Sequence, residues 1–368
     1  MLTETIYRIA LRHLPSYSNA IIKKLIHEFG SATNIFSEGA NHVSSIKYRN
    51  KTLHRPSISP TLFAQIETEI AWMEKHGVSL CFWNDPNYPQ RMRNCQDSPF
   101  LFYYKGNDGF NLSKSIAIVG TRAATQYGKD AVKRIVSEFA GHNITIISGL
   151  AEGIDTIAHE QALACNLKTF AVLGSGLNVI YPSSNQKLSE MIVEKEGSLI
   201  TEYSHNTIPD RLNFPRRNRI IAGMADAVIV IETAKRGGSM ITAHIASAYK
   251  RDVFAIPGSI FDENTTGCHE LIKTGKATIL TSGKELIERM GWTHEPVKTV
   301  QRTLFIEFTE KEKHITQLFQ TNQTLSIDDI TVRCNMFTPS QVAGILLGLE
   351  LKGVVECLPG KYYRMVSG

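Results

Sequence analysis

A chain of 368 residues is too long for one ordinary hydrophobic core, and a composition of 42% hydrophobic and 20% charged residues is that of a folded globular protein of two or three domains. No run of about eighteen uncharged apolar residues occurs, which excludes a transmembrane helix, and the charges within "MLTETIYRIALRHLP" argue against a signal peptide, so no membrane partner and a cytoplasmic location are expected. A formal net charge of +5 tilts the chain toward anionic partners, and six cysteines that never fall at C-x-x-C spacing support neither a zinc site nor a disulfide framework; no metal and no cofactor are expected.

Helices come first. Apolar residues recur at helical spacing from Thr3 to Ser37 in "IYRIALRHL", "NAIIKKLIHEF" and "ATNIF". A polar stretch from Asn41 to Pro60 follows, with Lys47, Arg49, Lys51 and Arg55 but no carboxylate, so residues 1–65 read as a small helical domain with a basic connector. From Val78 to Ile287 the pattern changes to short, almost continuous apolar runs: "SLCFW", "FLFYY", "IAIVG", "TIISG", "FAVLG", "SLIT", "AVIVIE", "DVFAIPG" and "ATIL". Helix-length segments such as Tyr127 to Ala140, Ile154 to Cys165 and Ser239 to Lys250 separate most of them. Runs of that kind are strands buried on both faces, so residues 78–291 are expected to form an α/β fold, a doubly wound and mostly parallel sheet. Beyond the polar linker "WTHEPVKTVQRT", the tail reads as three helices and two short strands joined at Pro359-Gly360, a winged-helix-like domain over residues 304–368.

The segment "SIAIVGTRAATQYGKDAVKRIVSEFA" has the layout of a strand, a tight turn and a helix starting near Gln126, which is the layout of a phosphate-holding loop. A dinucleotide fingerprint fails here: Arg122 stands where the second glycine should be, and the second strand ends in Gly149 rather than an acidic residue. No G-x-x-x-x-G-K-[ST] occurs either. Backbone donors combined with an arginine suit an external phosphate. The other strand ends, "SGLAEGID", "GSGLNVIYP", "TAKRGGSMITA" and "PGSIFDENTTG", are rich in glycine and hydroxyl residues, which allow close backbone approach and offer donors. Between them lies "NFPRRNRIIAG", the densest basic cluster, at the start of a helix.

These blocks, with "YPQRMRNCQDSPFLFYYKG", "LITEY" and "VFAIPG", resemble in order and spacing those of the DNA-processing protein A (DprA, also called Smf) family. The resemblance implies a Rossmann-like domain that binds single-stranded DNA, forms a homodimer, protects incoming DNA beside other single-strand-binding proteins, and loads the RecA recombinase during natural transformation. It also implies an N-terminal sterile-alpha-motif-like domain and, in many members, a C-terminal winged helix. Where members often carry a Pro-Gly-hydrophobic-Gly hairpin this chain has "LPSYSN", and where they commonly carry Asn His269 follows Cys268. The third helix of the tail, "TPSQVAGILLGLELKG", offers only Gln341 before Lys352, so that domain reads as a protein-interaction or regulatory module rather than a groove reader.

The expected site follows. Gly120, Thr121 and Arg122 hold one phosphate, and Arg216, Arg217, Asn218 and Arg219 line the path of the next ones. Ser148, Gly149, Gly174, Ser175, Gly238 and Ser239 supply donors, and a base rests on Tyr181 or Phe214. The alternative from another class is a nucleotide or nucleoside-monophosphate hydrolase similar to the LOG phosphoribohydrolases. "RGGSMITAHIA" lacks the glutamate that their chemistry needs, although Asp155 and His159, four apart on one helix face, could orient an imidazole. Ser175 lacks the nucleophile elbow, and Met191, Met224 and Met240 read as core.

Overall fold

The N-terminal spacing resolves into α1 (Leu2–His13), α2 (Asn19–Phe29) and α3 (Ala32–Ser37). The Ser18 hydroxyl accepts from Ile21 N–H and starts α2, and Gly30, at φ 78°, ends it by donating to the Ile26 carbonyl. Glu4 on α1 accepts from the backbone N–H groups of Ala32 and Thr33, tying α1 to α3. This computed structural model describes residues 2–14, 17–37, 47–48, 51–52, 56–293, 308–319, 324–352, 354–358 and 362–365. Pro15, Ser16, Arg49, Arg55 and the Pro359-Gly360 turn lie outside the described residues, while Lys47 and Lys51 fall in a short hairpin, β1 (Lys47–Tyr48) and β2 (Lys51–Thr52).

A helix that the periodicity did not announce follows, α4 (Pro60–His76), capped by Ser59 and stopped by the left-handed Gly77. It crosses residue 65, the expected end of the first domain. The reason it escaped is its thin apolar stripe: Ile66, Glu69 and Met73 are its buried residues.

The nine apolar runs become the nine strands of one sheet: β3 (Val78–Phe82), β4 (Leu101–Gly106), β5 (Lys114–Val119), β6 (Ile144–Ser148), β7 (Thr169–Leu173), β8 (Ser198–Thr201), β9 (Ala227–Val230), β10 (Asp252–Ala255) and β11 (Thr278–Ile279). Their order is β11-β10-β9-β5-β6-β7-β8-β4-β3, parallel from β11 to β8, with β4 and β3 antiparallel at one edge. Between the strands run α5 (Gln90–Arg93), α6 (Gln126–Glu138), α7 (Ile154–Ala164), α8 (Gln186–Glu194), α9 (Asn213–Met224), α10 (Gly238–Ala248) and α11 (Thr266–Lys273), and α12 (Gly283–Arg289) follows β11. Alternation along β5 divides the two layers. Ile116 and Ile118 pack with Val132, Ile135 and Val136 of α6, whereas Ala117 and Val119 pack with Ile220 and Ile221 of α9. Met224 and Met240 are core as expected; Met191, 47% exposed on α8, is not, because the helix turns only one face to the sheet.

The chain forms two compact units, Met1–Thr293 and His294–Gly368. In the first, Leu11, Ile22 and Leu25 of the N-terminal helices share a core with Val78, Phe82, Leu101 and Tyr103 of the antiparallel edge. The second contains α13 (Glu310–Thr316), β12 (Thr324–Ser326), α14 (Ile327–Cys334), α15 (Pro339–Leu351), β13 (Val355–Leu358) and β14 (Tyr362–Met365), with sheet order β12-β14-β13. A capping box starts each helix of this winged-helix unit, at Thr309, Ser326 and Thr338. The three-residue β12 was not anticipated. Among the described residues, no helix is long and apolar enough to cross a membrane.

Candidate nucleic-acid interface

In an open parallel sheet a ligand crevice forms where the strand order reverses, outside the carboxyl ends of the strands. Here the order runs β5-β6-β7-β8 one way and β9-β10-β11 the other, so β5 and β9 flank the reversal. The loops leaving them enclose a crevice of about 360 Å³, with Gly120, Thr121 and Arg122 on one wall and Thr233, Gly237, Gly238 and Ser239 on the other. Phe214, Arg217 and Asn218 of α9 close it from a third side. Gly238 opens α10, and a side chain there would meet open space, so the amino end of that helix faces the crevice. The loop after β5 is held by a buried carboxylate absent from the sequence-level site: Glu232 accepts from the Thr125 N–H at 3.0 Å and from its hydroxyl at 2.6 Å. The Thr121 N–H donates to the Glu232 carbonyl, so that amide serves the fold.

Arg122 is the exposed cation of the crevice. Its guanidinium carbon lies 5.0 Å from the centre of the Phe214 ring, and Phe214 in turn stands 5.7 Å from Tyr181, centre to centre. Arg122, Tyr181 and Phe214 also border a shallow basin of about 440 Å³ with Arg211 and Pro215, so cation and aromatic rings lie together at the mouth. Neither ring is buried beside its proline; Tyr181 is 43% exposed.

Several expected donors are committed elsewhere. Ser148 is fully buried and its hydroxyl donates to the Ile118 carbonyl at 2.7 Å; Ser175 is also buried and donates to the Val179 carbonyl at 2.6 Å. Neither hydroxyl is open to a DNA strand: Ser148 ends a β-strand buried on both faces and bonds inward, and Ser175, in the loop after β7, closes that loop on Val179. Gly149 and Gly174 make room for protein rather than ligand: a methyl group at Gly149 would overlap the Arg217 guanidinium, and one at Gly174 would sit 2.8 Å from the Phe214 ring. Gly120 likewise clears the Ile154 side chain.

The arginines of α9 divide. Arg217 is 4% exposed and its Nη1 donates to the carbonyls of Gly149, at 2.5 Å, and Val172, so it braces the crevice wall instead of lining an open path. Burial lowers its pKa to about 10. Arg216 and Arg219 project on the other side of the helix, into a separate cleft, and Arg219 is ion-paired with Glu202. A helix turns 100° per residue, so consecutive arginines cannot follow one groove.

Asp155 and His159 do not form a dyad. Asp155 accepts from the Gly149 N–H at 3.1 Å, and burial raises its pKa while the Arg217 charge opposes that. His159 Nδ1 lies 2.6 Å from the Thr169 hydroxyl, and burial lowers its pKa to about 3.

Residues 79–291 match the family of DNA recombination-mediator protein A. The chain belongs to that family. Residues 309–361 match the family's winged helix domain. Protein Smf of Escherichia coli (strain K12) is 33% identical over 309 residues, which cover 82% of this chain and 81% of that protein. The DNA processing protein DprA of Streptococcus pneumoniae is 42% identical over 203 residues, 55% of this chain and 71% of its own length. The X-ray structure of DprA from Streptococcus pneumoniae superposes with a TM-score of 0.60 at 33% identity, covering 77% of this chain and 97% of that one. DNA processing protein A from Helicobacter pylori, whose structure was described for its single-stranded DNA binding mode, gives a TM-score of 0.54 at 28% identity, covering 59% and 97%. Family and fold are those the sequence blocks implied, and membership gives the protein a DNA-processing role. In the winged helix characteristic of the family, Gln341 accepts from the Thr338 N–H through its side-chain oxygen, so the carbonyl end of that side chain serves the cap of α15.

Proposed function

We propose that the protein binds single-stranded DNA through the crevice between β5 and β9, without catalysing a reaction, and acts as a homodimer that delivers the strand to the RecA recombinase. One observation carries the binding: an exposed guanidinium lies on an aromatic ring at the mouth of a crevice that receives the amino end of a helix. Phosphates need the cation and the helix end; an unpaired base needs a ring on which any sequence can stack. A duplex offers no free base faces, so the combination favours a single strand. The Thr121 hydroxyl, Arg122, Asn218, Gly238 and Ser239 form the phosphate side, with Gly120 part of its wall, and Phe214 with Tyr181 the base side. RecA delivery and protection of incoming DNA come from family membership, and the homodimer from the need to grip one strand at two crevices against competing single-strand binders.

Filter binding of single-stranded DNA, duplex DNA and nucleoside monophosphates tests this. The reading expects retention of the single strand in preference to the other two. Tighter binding of a monophosphate, with release of free base, would replace it by the hydrolase reading.

A further inference from the structure

We infer that the protein carries a second cleft for the backbone of single-stranded nucleic acid, on the far side of α9 from the crevice. The cleft measures about 1110 Å³ and lies between the start of α2, α5, α9 and the carboxyl end of α10. Five cationic side chains line it, Arg91, Arg216, Arg219, Lys250 and Arg251, against one carboxylate, Asp97, which already accepts from the Tyr249 hydroxyl. Arg91 is balanced by Asp226 and Arg219 by Glu202. Among the described residues Arg216, Lys250 and Arg251 have no ion-pair partner; Arg251 donates from Nη2 to the carbonyls of Arg91, at 2.7 Å, and Gly223, at 3.2 Å.

The guanidinium groups are also fixed. Arg219 is held through Nη2 on Glu202 and Arg251 through Nη2 on two carbonyls, so each planar fork stands in place at the wall of the cleft, as suits a phosphate oxygen.

Size and continuity select a strand over a small anion. The volume exceeds the roughly 300–1,000 Å³ of small-molecule sites. Pro215 borders the shallow basin of Arg122 and Phe214, and the next residue, Arg216, borders this cleft. A strand leaving the crevice therefore reaches the cleft by passing around the first turn of α9. The inference rests on the proposed reading of the crevice for its ligand class and for the path between the two, while the lining of the cleft is its own.

The test uses the full chain and fluorescent oligo-dT of about six nucleotides, enough for one site, and about twenty, enough for both. Arg216→Glu combined with Lys250→Glu is expected to weaken the longer strand about tenfold or more and to lower its salt slope by about 1.4, two contacts at about 0.7 each. Binding of the shorter strand stays within about twofold. Should the double reversal fail to fold by circular dichroism, Arg216→Gln with Lys250→Gln gives the same readout at smaller amplitude. Equal effects on both lengths, or none on the longer, overturn the cleft. If the variant loses affinity for dTMP or pyrophosphate while both oligomers bind unchanged, the cleft is a small-anion site and the strand assignment falls. Arg122→Ala separates the two proposals: it should weaken both lengths. Its failure alongside a long-strand loss in the double variant would sink the crevice and leave the cleft standing, whereas a wild type that binds neither length removes both.

Discussion

Arg122 and Phe214 share one contact but do different work, and variants separate them. Phe214→Ala removes a stacking surface and should cost about 1–3 kcal/mol of affinity with the salt slope unchanged, because no charge is lost. Isothermal titration at two salt concentrations checks it; an altered slope would assign the ring's effect to a displaced Arg122. Ser148→Ala, by contrast, should cost roughly 1 kcal/mol of stability in a urea melt and leave affinity alone, since its hydroxyl serves the Ile118 carbonyl. His159 gives a pH dependence. Burial first, then the Arg217 charge, lowers its pKa to about 3, below the usual 6.5. The unfolded chain therefore holds a proton between those values that the folded chain refuses, and stability falls as pH drops through 6.5. By about pH 5 the loss is about 2 kcal/mol. Urea midpoints near neutrality and near pH 5 should show that increment in the wild type and not in His159→Gln; an equal acid loss in both would contradict it.

At the scale of elements, the central strands β5 to β9 were legible because burial on both faces leaves unbroken apolar runs, whereas the edge strand β11 was read from "ATIL" although both its residues, Thr278 and Ile279, are exposed. α4 was illegible for the converse reason, a helix that buries little, and β12 because three residues carry no period. The site shows the same division. Its position followed from the strand ends, since the sheet reverses between β5 and β9, but the roles of individual residues did not. Sequence marks Gly149 and Gly174 as small without saying what they make room for, and it marks the arginines of α9 as charged without saying which side of the helix each takes. Glu232 gave no signal of its own, as one acid at the end of an apolar strand. Gly149→Ala should cost about 1–3 kcal/mol, because the clashing guanidinium is held by two carbonyls and cannot swing aside. A melting temperature equal to wild type would show that Arg217 has somewhere else to go.

For the whole molecule, the expected boundary between helical and α/β domains matters experimentally. The N-terminal helices share buried side chains with β3 and β4, so a chain beginning at Val78 exposes Phe82 and Leu101 and should be less stable than one ending at Thr293. On the proposed homodimer, residues 1–293 are expected to dimerise, and they should bind oligo-dT because the crevice lies wholly within them. Light scattering that finds this piece monomeric and the full chain dimeric would move the interface to the winged-helix unit. Charge within that unit is internally spent where Lys352 pairs with Glu312, so Lys352→Ala should leave DNA affinity unchanged.

The most direct test of strand binding at the crevice is the salt dependence of oligo-dT affinity in Arg122→Ala, measured on protein shown to be folded and of unchanged oligomeric state. The account predicts a loss of about 1–3 kcal/mol, larger at low salt, and a slope of log affinity against log salt reduced by about 0.7, for every sequence alike. An affinity and slope both equal to those of the wild type would contradict it.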